Sequence, residues 1–572
     1  MRRPIHRAAL LSLTALLFII TPGKAHAVWS TNTAINNLVW YSGDAKAYPA
    51  NVSDGTGGAI VMWYGPASSI LVQHINAVGV TQGSVAIIPG LSQEIRPVIV
   101  SDDAGGVIIA WSKVNNYESY NNDIYAQRVD GSGAVLWTTS GTALCTAAGN
   151  QLHPTIAADH AGGAIITWQD YRNSPEPDIY AQRVDASGSI LWAADGVAVC
   201  TATSYQTEPA IAADNAGGAI ITWTDLRREN GYFDIYAQHV NGSGAGLWMA
   251  NGIAICVADD EQSDPNIISD GFGGAIIAWQ DFRNAAASYY DIYAQRVSAE
   301  GNTLWTNNGQ AICATADYEY SPEIASDGSG GAIFTWWKSY VTPPYEIDIC
   351  AQRINAAGSV QWGAAGVPIC TLPGWQNQPV IIKDGAGGAI ITWTDYRVQY
   401  PDIYAQRINA AGAVQWTGNG VAIATASPSQ SAPTIAGDGT GGAIISWMEQ
   451  RGIYASQIGG NGILGSRASA SAVGPAGQSP KVPVLSQNCP NPFNPRTSLR
   501  FDLPQAGYVR LSVFDVAGRV VRTLVDEGMS QGSHEVAWDG LDSAGRAVGS
   551  GTYLARLSFG GRVETVRMGL VR

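Results

Sequence analysis

The chain has 572 residues, of which 46% are hydrophobic, and it carries 46 acidic side chains against 32 Lys and Arg, a net charge of −14. An acidic chain repels phosphate backbones, so this charge argues against nucleic acid as a partner. The length admits several domains, and the hydrophobic content is sufficient for packed cores.

Residues 1–27 predict a signal peptide. Three arginines precede the apolar stretch 8–20, and Ala-His-Ala at 25–27 fits a small-x-small cleavage site. The apolar stretch is too short for a stable membrane anchor. We expect a mature chain that begins at Val28, has no transmembrane segment, crosses the inner membrane, and is secreted or held on the outer cell surface. Cleavage would leave 28 basic and 46 acidic side chains, a net charge of −18.

A sequence unit of about 56 residues recurs eight times between residues 28 and 465. Its clearest copy contains Gly162-Gly-Ala-Ile-Ile-Thr-Trp168 and then Asp178-Ile-Tyr-Ala-Gln-Arg183-Val184. A fixed period of this size indicates stacked supersecondary units. The tryptophan of the first segment recurs at 63, 111, 168, 223, 279, 336, 393 and 447.

Each unit offers four short strand-like segments and no helical periodicity, which predicts the blades of an all-β, eight-bladed β-propeller. The first strand begins at a recurrent proline, where no ladder hydrogen bond is lost. The segment from Val28-Trp29 to Ile35 resembles Leu136-Trp137 to Leu144, so we expect it to pair with the third strand of the last unit and to close the ring. Of 19 tryptophans, 15 occupy two repeat positions and are expected in the core.

Recurrent cysteines and charged pairs are interpreted as architecture. Equivalent cysteines of neighbouring units lie too far apart for disulfide geometry, so free buried thiols are expected. Pairs such as Asp170/Arg172, Asp178/Arg183 and Asp402/Arg407 recur in several units, whereas a catalytic site is used once. We expect them to make hydrogen bonds and ion pairs between blades. Neither a nucleophile–base constellation nor a metal-ligand spacing is found, and no cofactor is indicated.

Residues 466–482 predict a flexible linker rich in Ala, Ser, Gly and Pro. Alternating strands with turn signals then predict a small immunoglobulin-like β-sandwich over 483–572. This domain carries 10 Arg and 8 acidic residues, a net charge of +2 that leaves −20 on residues 28–482.

Residues 485–572 contain a series of motif residues, which are Asn488, Pro490, Asn491, Pro492, Phe493, Asn494, Pro495, Gly518, Arg519, Gly551 and Tyr553. With these motifs, this segment resembles the C-terminal sorting domain of bacterial type IX secretion cargo and the related immunoglobulin-like domain of flagellar hook-capping proteins. Cys489 replaces the aromatic residue usual in that family before Pro490. The resemblance implies recognition by an outer-membrane secretion machinery; a plain structural module is the competing interpretation.

One face of the propeller is expected to bind a ligand. The turns between strands 1 and 2 and between strands 3 and 4 are short and alike, whereas the 2–3 and 4–1 loops vary and carry aromatic residues. In an up-and-down blade the variable loops share one face, and loops on a rigid scaffold are where binding is usually placed. The candidate ligand-binding residues are Trp40, Tyr120, Tyr205, Tyr232, Tyr290, Tyr318, Tyr320, Tyr345, Trp375 and Tyr400.

The sequence therefore predicts an exported bacterial β-propeller that binds an extracellular polysaccharide or protein without catalysis and carries a C-terminal secretion or anchoring domain. One alternative is a secreted carbohydrate-active enzyme with loop carboxylates from Asp259, Asp260, Glu261 and Glu319. A passive structural spacer is the other.

Overall fold

The computed structural model contains strands and turns, and no helix, in the residues that it describes. The chain forms two compact units, residues 1–468 and 469–572. None of the described residues belongs to a helix long and apolar enough to cross a membrane. The predicted signal peptide, the whole predicted linker and Tyr120 lie outside the described residues. The described residues are 29–34, 37–41, 48–65, 69–88, 97–116, 121–173, 175–228, 230–284, 289–343, 345–427, 429–450, 452–465, 484–485, 497–503, 506–516, 518–530, 532–560 and 562–570.

The first unit is an eight-bladed β-propeller of four-stranded antiparallel sheets. Strand β1 (Asn37–Tyr41) precedes blade 1. Blades 1 and 2 contain β2 (Ala50–Ser53), β3 (Ala59–Tyr64), β4 (Ile70–Ile75), β5 (Thr81–Ile88), β6 (Val98–Ser101), β7 (Val107–Asn116), β8 (Asn121–Val129) and β9 (Thr142–Cys145). Blades 3 and 4 contain β10 (Gln151–Ala158), β11 (Ala164–Asp170), β12 (Asp178–Val184), β13 (Val197–Cys200), β14 (Gln206–Ala213), β15 (Ala219–Asp225), β16 (Asp234–Val240) and β17 (Ile253–Cys256).

The remaining four blades follow the same pattern. Blades 5 and 6 contain β18 (Gln262–Ser269), β19 (Ala275–Asp281), β20 (Asp291–Val297), β21 (Gln310–Cys313), β22 (Tyr318–Ser326), β23 (Ala332–Ser339), β24 (Ile347–Ile354) and β25 (Val367–Cys370). Blades 7 and 8 contain β26 (Gln376–Lys383), β27 (Ala389–Asp395), β28 (Asp402–Ile408), β29 (Val421–Ala424), β30 (Gln430–Gly437), β31 (Ala443–Glu449) and β32 (Gly452–Ile458). The first strand of each blade contacts the first strands of its neighbours, and β2 contacts β30, so these strands surround the central axis.

The N-terminal strand closes the ring, as predicted, but it lies further along the chain than expected. Strand β1 pairs with β32 of blade 8, where Leu38 faces Tyr454 and Trp40 faces Ile453. Trp29 precedes this strand and donates from Nε1 to Ala77 O at 3.1 Å. The tryptophans that precede the fourth strands of other blades donate to a backbone carbonyl in the same way. The sequence similarity therefore located the tryptophan correctly, but a longer connection after it moves the strand from 28–35 to 37–41.

The second strand of each blade is buried on both faces, which explains its continuous apolar sequence. All eight repeat tryptophans of these strands are fully buried, as the repeat predicts. Trp168 packs above the turn before the fourth strand, where Gly196 has φ +88° and a Cβ atom would lie 2.7 Å from the indole ring. Glycine is required there because both the conformation and the space exclude a side chain.

The recurrent aspartates and arginines join strands and blades. The predicted pairings of Arg183 with Asp178 and of Arg407 with Asp402 are wrong. Arg172 binds Asp170 at 2.6 Å and also reaches Cys145 of the preceding blade, with Nη2 3.1 Å from Sγ. Arg183 does not pair with Asp178. It binds Asp159 at 2.9 Å and donates to a carbonyl of the next blade. Arg407 likewise binds Asp384 rather than Asp402.

The repeat cysteines are buried free thiols. Burial raises the pKa of Cys145, Cys200, Cys256 and Cys370 to about 12, so these thiols are protonated at neutral pH. They fill space between blades, as small apolar side chains do.

The second unit is a β-sandwich, in agreement with the predicted alternation. Its sheets have the orders β33-β34-β37 and β36-β35-β38-β39. Both sheets contribute to one core that includes Leu499, Phe501, Val513, Trp538 and Leu557. The strands are β33 (Val484–Leu485), β34 (Thr497–Leu503), β35 (Gly507–Asp515), β36 (Val520–Met529), β37 (Gly532–Trp538), β38 (Gly551–Phe559) and β39 (Arg562–Leu570).

Candidate functional site

The variable loops of the propeller lie on one face, as the sequence predicts for alternating strands. The 2–3 and 4–1 loops contact each other directly: Gln206 N donates to Pro177 O at 2.9 Å, and Tyr171 N donates to Asn150 O at 2.9 Å. The short turns lie at the opposite ends of the strands, where Arg183 binds the 1–2 turn at Asp159. We call the first surface the variable face and the second the uniform face.

The candidate aromatic residues occupy two kinds of position. Tyr205, Tyr232, Tyr345, Trp375 and Tyr400 are exposed in loops or at strand ends. Trp375 is 56% exposed and Tyr345 is 67% exposed, so both rings are available to a ligand. Trp40 was expected in a loop, but it lies in strand β1 and packs against Trp63, with ring centroids 5.5 Å apart. It is part of the blade packing.

Tyr290, Tyr318 and Tyr320 belong to an aromatic cluster that joins blades 5 and 6. Tyr289 meets Tyr318 edge to face at 4.7 Å between ring centroids, and Tyr320 stacks on Trp337 at 4.5 Å. Tyr290 belongs to the same cluster, because its ring centroid lies 5.5 Å from that of Tyr320. Such pairs stabilise one another beyond their burial. We define the aromatic cluster as Phe282, Tyr289, Tyr290, Tyr318, Tyr320 and Trp337.

The innermost strands have an irregular start, next to a residue that varies between blades. In blades 3 to 8 the strand begins before the recurrent proline rather than at it, and its register shifts beside the proline. The expectation that proline opens the strand is therefore wrong for these blades; it occupies a bulge, which also tolerates proline. The residue before it has positive φ, uncommon outside glycine. In blades 3 to 8 these residues are His153, Glu208, Asp264, Ser321, Gln378 and Ala432, and in blade 1 the residue before the proline is Tyr48.

A cavity of about 680 Å³ opens at the variable end of the innermost strands of blades 2 to 5. Glu208 and Asp264 line it together with Glu261 from the adjacent 4–1 loop. Thr224 Oγ1 donates to Glu208 Oε2 at 3.0 Å, and the backbone N of Asp264 reaches the same oxygen at 3.2 Å. We call this space the channel-mouth cavity.

The carboxyl groups around this cavity disfavour each other's ionised forms. Desolvation raises the pKa of Asp264, and the neighbouring Glu208 carboxylate raises it further. On the next innermost strand, burial raises the pKa of Glu323 to about 7, with a further contribution from Asp264. Asn266 Nδ2 donates to Glu323 Oε2 at 3.3 Å. The cavity therefore combines acidic groups with neutral hydrogen-bonding side chains.

Of the loop carboxylates considered for an enzyme, Glu319 is not in a loop. It lies in β22, fully buried, at the position of the repeat glutamine Gln262. Its Oε1 accepts a hydrogen bond from Thr315 Oγ1 at 2.5 Å and lies 4.0 Å from Lys338 Nζ. Burial raises the pKa of Glu319 to about 7. Substrate on the variable face cannot reach this group, so its role is structural.

Sequence reasoning named Glu261 as a loop carboxylate, but it missed Glu208 and did not bring Glu208 and Asp264 together at the channel mouth. Glu208 and Asp264 are more than fifty residues apart, and only the ring brings them together. The sequence did offer one indication of this site. The residue before the recurrent proline differs from unit to unit, whereas the residues around it are repeated. Among the described residues, no group of three or more His, Cys, Asp or Glu side chains is arranged to hold a metal ion.

The sorting-motif residues that the structure describes form a turn and a core contact in the second unit. Gly518 has φ +77°. Arg519 Nε binds Asp515 Oδ2 at 2.8 Å. Tyr553 packs against Trp538 and donates its hydroxyl to Gly549 O at 2.7 Å. The asparagine and proline residues 488–495 lie outside the described residues.

Residues 494–559 match the FlgD Ig-like domain. FlgD from Pseudomonas aeruginosa is 24% identical, and the match covers 17% of this chain and 75% of that one with a TM-score of 0.13. No curated protein matches the chain.

Propeller structures also match. An α-L-arabinanase from Penicillium chrysogenum is 12% identical over 56% of this chain and 98% of its own, with a TM-score of 0.31. The α-L-arabinofuranosidase Arb93A from Fusarium graminearum is 11% identical over 57% and 98%, with a TM-score of 0.30. Such low identities and TM-scores do not identify an activity for this chain.

Proposed function

We propose that this protein is an exported binding module whose propeller holds an extracellular polysaccharide on the variable face, without catalysis. The observation that carries the proposal is the position of the channel-mouth cavity beside the aromatic cluster. Aromatic rings with polar tips offer apolar contact area and hydrogen bonds together, as glycan recognition requires. The C-terminal domain, in this proposal, directs the chain to an outer-membrane secretion machinery and keeps it at or beyond the cell surface.

A secreted carbohydrate hydrolase is the second candidate, and one observation favours it. Burial raises the pKa of Asp264 and that of Glu323, the latter to about 7, and a carboxyl group whose pKa lies near neutral suits a general acid. The two proposals differ in product formation.

A combined binding and hydrolysis assay tests the proposal. The mature full-length chain is screened on immobilised polysaccharides, and reducing-sugar release is followed in the same wells. Tyr289→Ala and Trp375→Ala are expected to lower retention at least fivefold without any release of product. The matched control is Phe272→Ala, because Phe272 is 72% exposed in a 1–2 turn of the uniform face. Equal loss in the control, or no binding to any polysaccharide, contradicts the proposal, and product release selects the hydrolase.

A further inference from the structure

The carboxyl groups of Glu208, Glu261 and Asp264 line the channel-mouth cavity, together with the imidazole of His153. Among the described residues, no lysine or arginine forms an ion pair with Glu208, Asp264 or Glu323. Around the uniform face, by contrast, aspartates of the 1–2 turns bind a basic side chain within 3 Å. These pairs are Asp54–His74, Asp102–Arg128, Asp159–Arg183, Asp214–His239, Asp270–Arg296, Asp327–Arg353 and Asp384–Arg407.

One neutral polar side chain at the cavity is without a hydrogen-bond partner among the described residues. Gln169 is only 6% exposed and lines the cavity, yet its side-chain amide makes no hydrogen bond to the described residues. The equivalent position in blade 5 shows the alternative, because Gln280 Nε2 binds Asp264 there at 3.1 Å. Polar side chains this deeply buried are normally paired, so Gln169 points to a polar occupant.

Two contacts connect the wall of the cavity with the aromatic cluster. Burial raises the pKa of Tyr290 in the cluster, and the carboxylate of Glu261, which lines the cavity, raises it further. Gln280 forms a second connection: its Nε2 binds Asp264, and its Oε1 accepts the backbone N of Ser321, directly after Tyr320, at 3.2 Å. One extended molecule can therefore contact the aromatic rings and place its end among the carboxylates.

We infer that the channel-mouth cavity receives an amino sugar residue of a polysaccharide, with its free ammonium group among Glu208, Glu261 and Asp264 and its hydroxyl groups near Gln169. This inference rests on the proposed function and specifies the ligand's chemistry. Charge complementarity selects the ammonium group, because a cation offsets the repulsion between neighbouring carboxylates. Hydroxyl groups both donate and accept, so they match the amide of Gln169.

Calorimetric titration of the mature full-length chain tests the inference. The probes are a glucosamine hexamer, an N-acetylglucosamine hexamer, cellohexaose and a lysine hexamer. The glucosamine hexamer is expected to bind at least tenfold more tightly than the two uncharged sugars, and added salt is expected to reduce this preference. The E208Q/D264N variant is expected to lose most of it, and Gln169→Leu is expected to weaken all sugar probes. The control is Glu300→Gln, which removes one exposed carboxylate from a turn of the uniform face.

The outcomes separate the two proposals. Equal affinity for charged and uncharged sugars overturns the inference but retains polysaccharide binding. No binding of any sugar overturns the proposed function as well. Tight binding of the lysine hexamer with the same dependence on Glu208 and Asp264 replaces the amino sugar by a basic protein segment, which also contradicts the inference. The preference of the unmodified protein decides the result even where a variant fails to fold.

Discussion

Arg183 holds Asp159 through two nitrogens, Nε at 3.0 Å and Nη2 at 2.9 Å, and so ties the third strand of its blade to the turn between strands 1 and 2. In blade 4 His239 takes the arginine position, binding Asp214 at 2.9 Å and facing Ala299 O at 3.0 Å. Arginine and histidine thus make the same contact. In both cases the side chain connects the 1–2 turn of its own blade to a carbonyl of the next blade.

Two substitutions of Arg183 test how much this contact contributes to stability and whether histidine can replace arginine in it. We expect Arg183→Ala to lower the free energy of unfolding by about 3 kcal/mol, because it leaves the buried Asp159 without its cation. Arg183→His should retain much of the stability, since blades 1 and 4 use histidine at this position. Urea unfolding followed by tryptophan fluorescence measures both. Arg510→Ala, at an exposed ion pair, should change the midpoint little.

The repeat tryptophans offer a matched pair of substitutions. Trp168 Nε1 donates to Asp170 Oδ2 at 2.7 Å, whereas the equivalent Trp111 Nε1 is buried without a partner. Both rings are fully buried, so phenylalanine removes the same volume at each site. We expect Trp168→Phe to cost about 1–2 kcal/mol more than Trp111→Phe, because only the first leaves a carboxylate short of a donor. Equal losses of unfolding free energy would refute a role for this bond.

The buried Glu319 should make stability depend on pH. Burial raises its folded pKa from 4.5 to about 7. The folded state therefore binds the proton more tightly than the unfolded state, and this contribution to stability decreases as pH rises from about 4.5 to about 7. Glu319→Gln restores the repeat residue, so its stability relative to the unmodified protein should increase across that window by on the order of 3 kcal/mol. Urea midpoints at pH 4.5 and 8 measure the difference. A constant difference across the two pH values contradicts the prediction.

The sorting role can be separated from folding at Arg519. This side chain is largely exposed, and among the described residues its ion pair is with Asp515 of its own turn, so Arg519→Ala should change the free energy of unfolding by no more than about 0.5 kcal/mol. If the domain is recognised by a secretion machinery, the variant should reach the cell surface or the medium at least fivefold less in its own host. Arg510→Ala is the control within the same domain. Normal export of Arg519→Ala would argue for a plain structural module.

The sequence predicted the features that repeat and missed those that depend on closure of the ring. Tryptophans at a constant spacing were enough to predict eight blades, and the match between Trp29 and Trp137 was enough to predict ring closure. The pairing of Arg183 was assigned to Asp178, its neighbour along the strand, because only the turn geometry brings Asp159 within reach. Glu208 and Asp264 could not be placed together, since the distance between them is set by the packing of two whole blades.

Closure of the propeller ring depends on residues from both ends of the propeller. Thr33 and Thr425 share a hydrogen bond at 2.8 Å across a sequence separation of 392 residues, next to the pairing of β1 with β32. Joining chain ends this far apart costs on the order of 5 kcal/mol in loop entropy, which the completed blade must offset. Every partial array lacks this final sheet and presents an unpaired edge. Blade 8 is therefore completed only when both ends of the propeller, β1 and β32, are present.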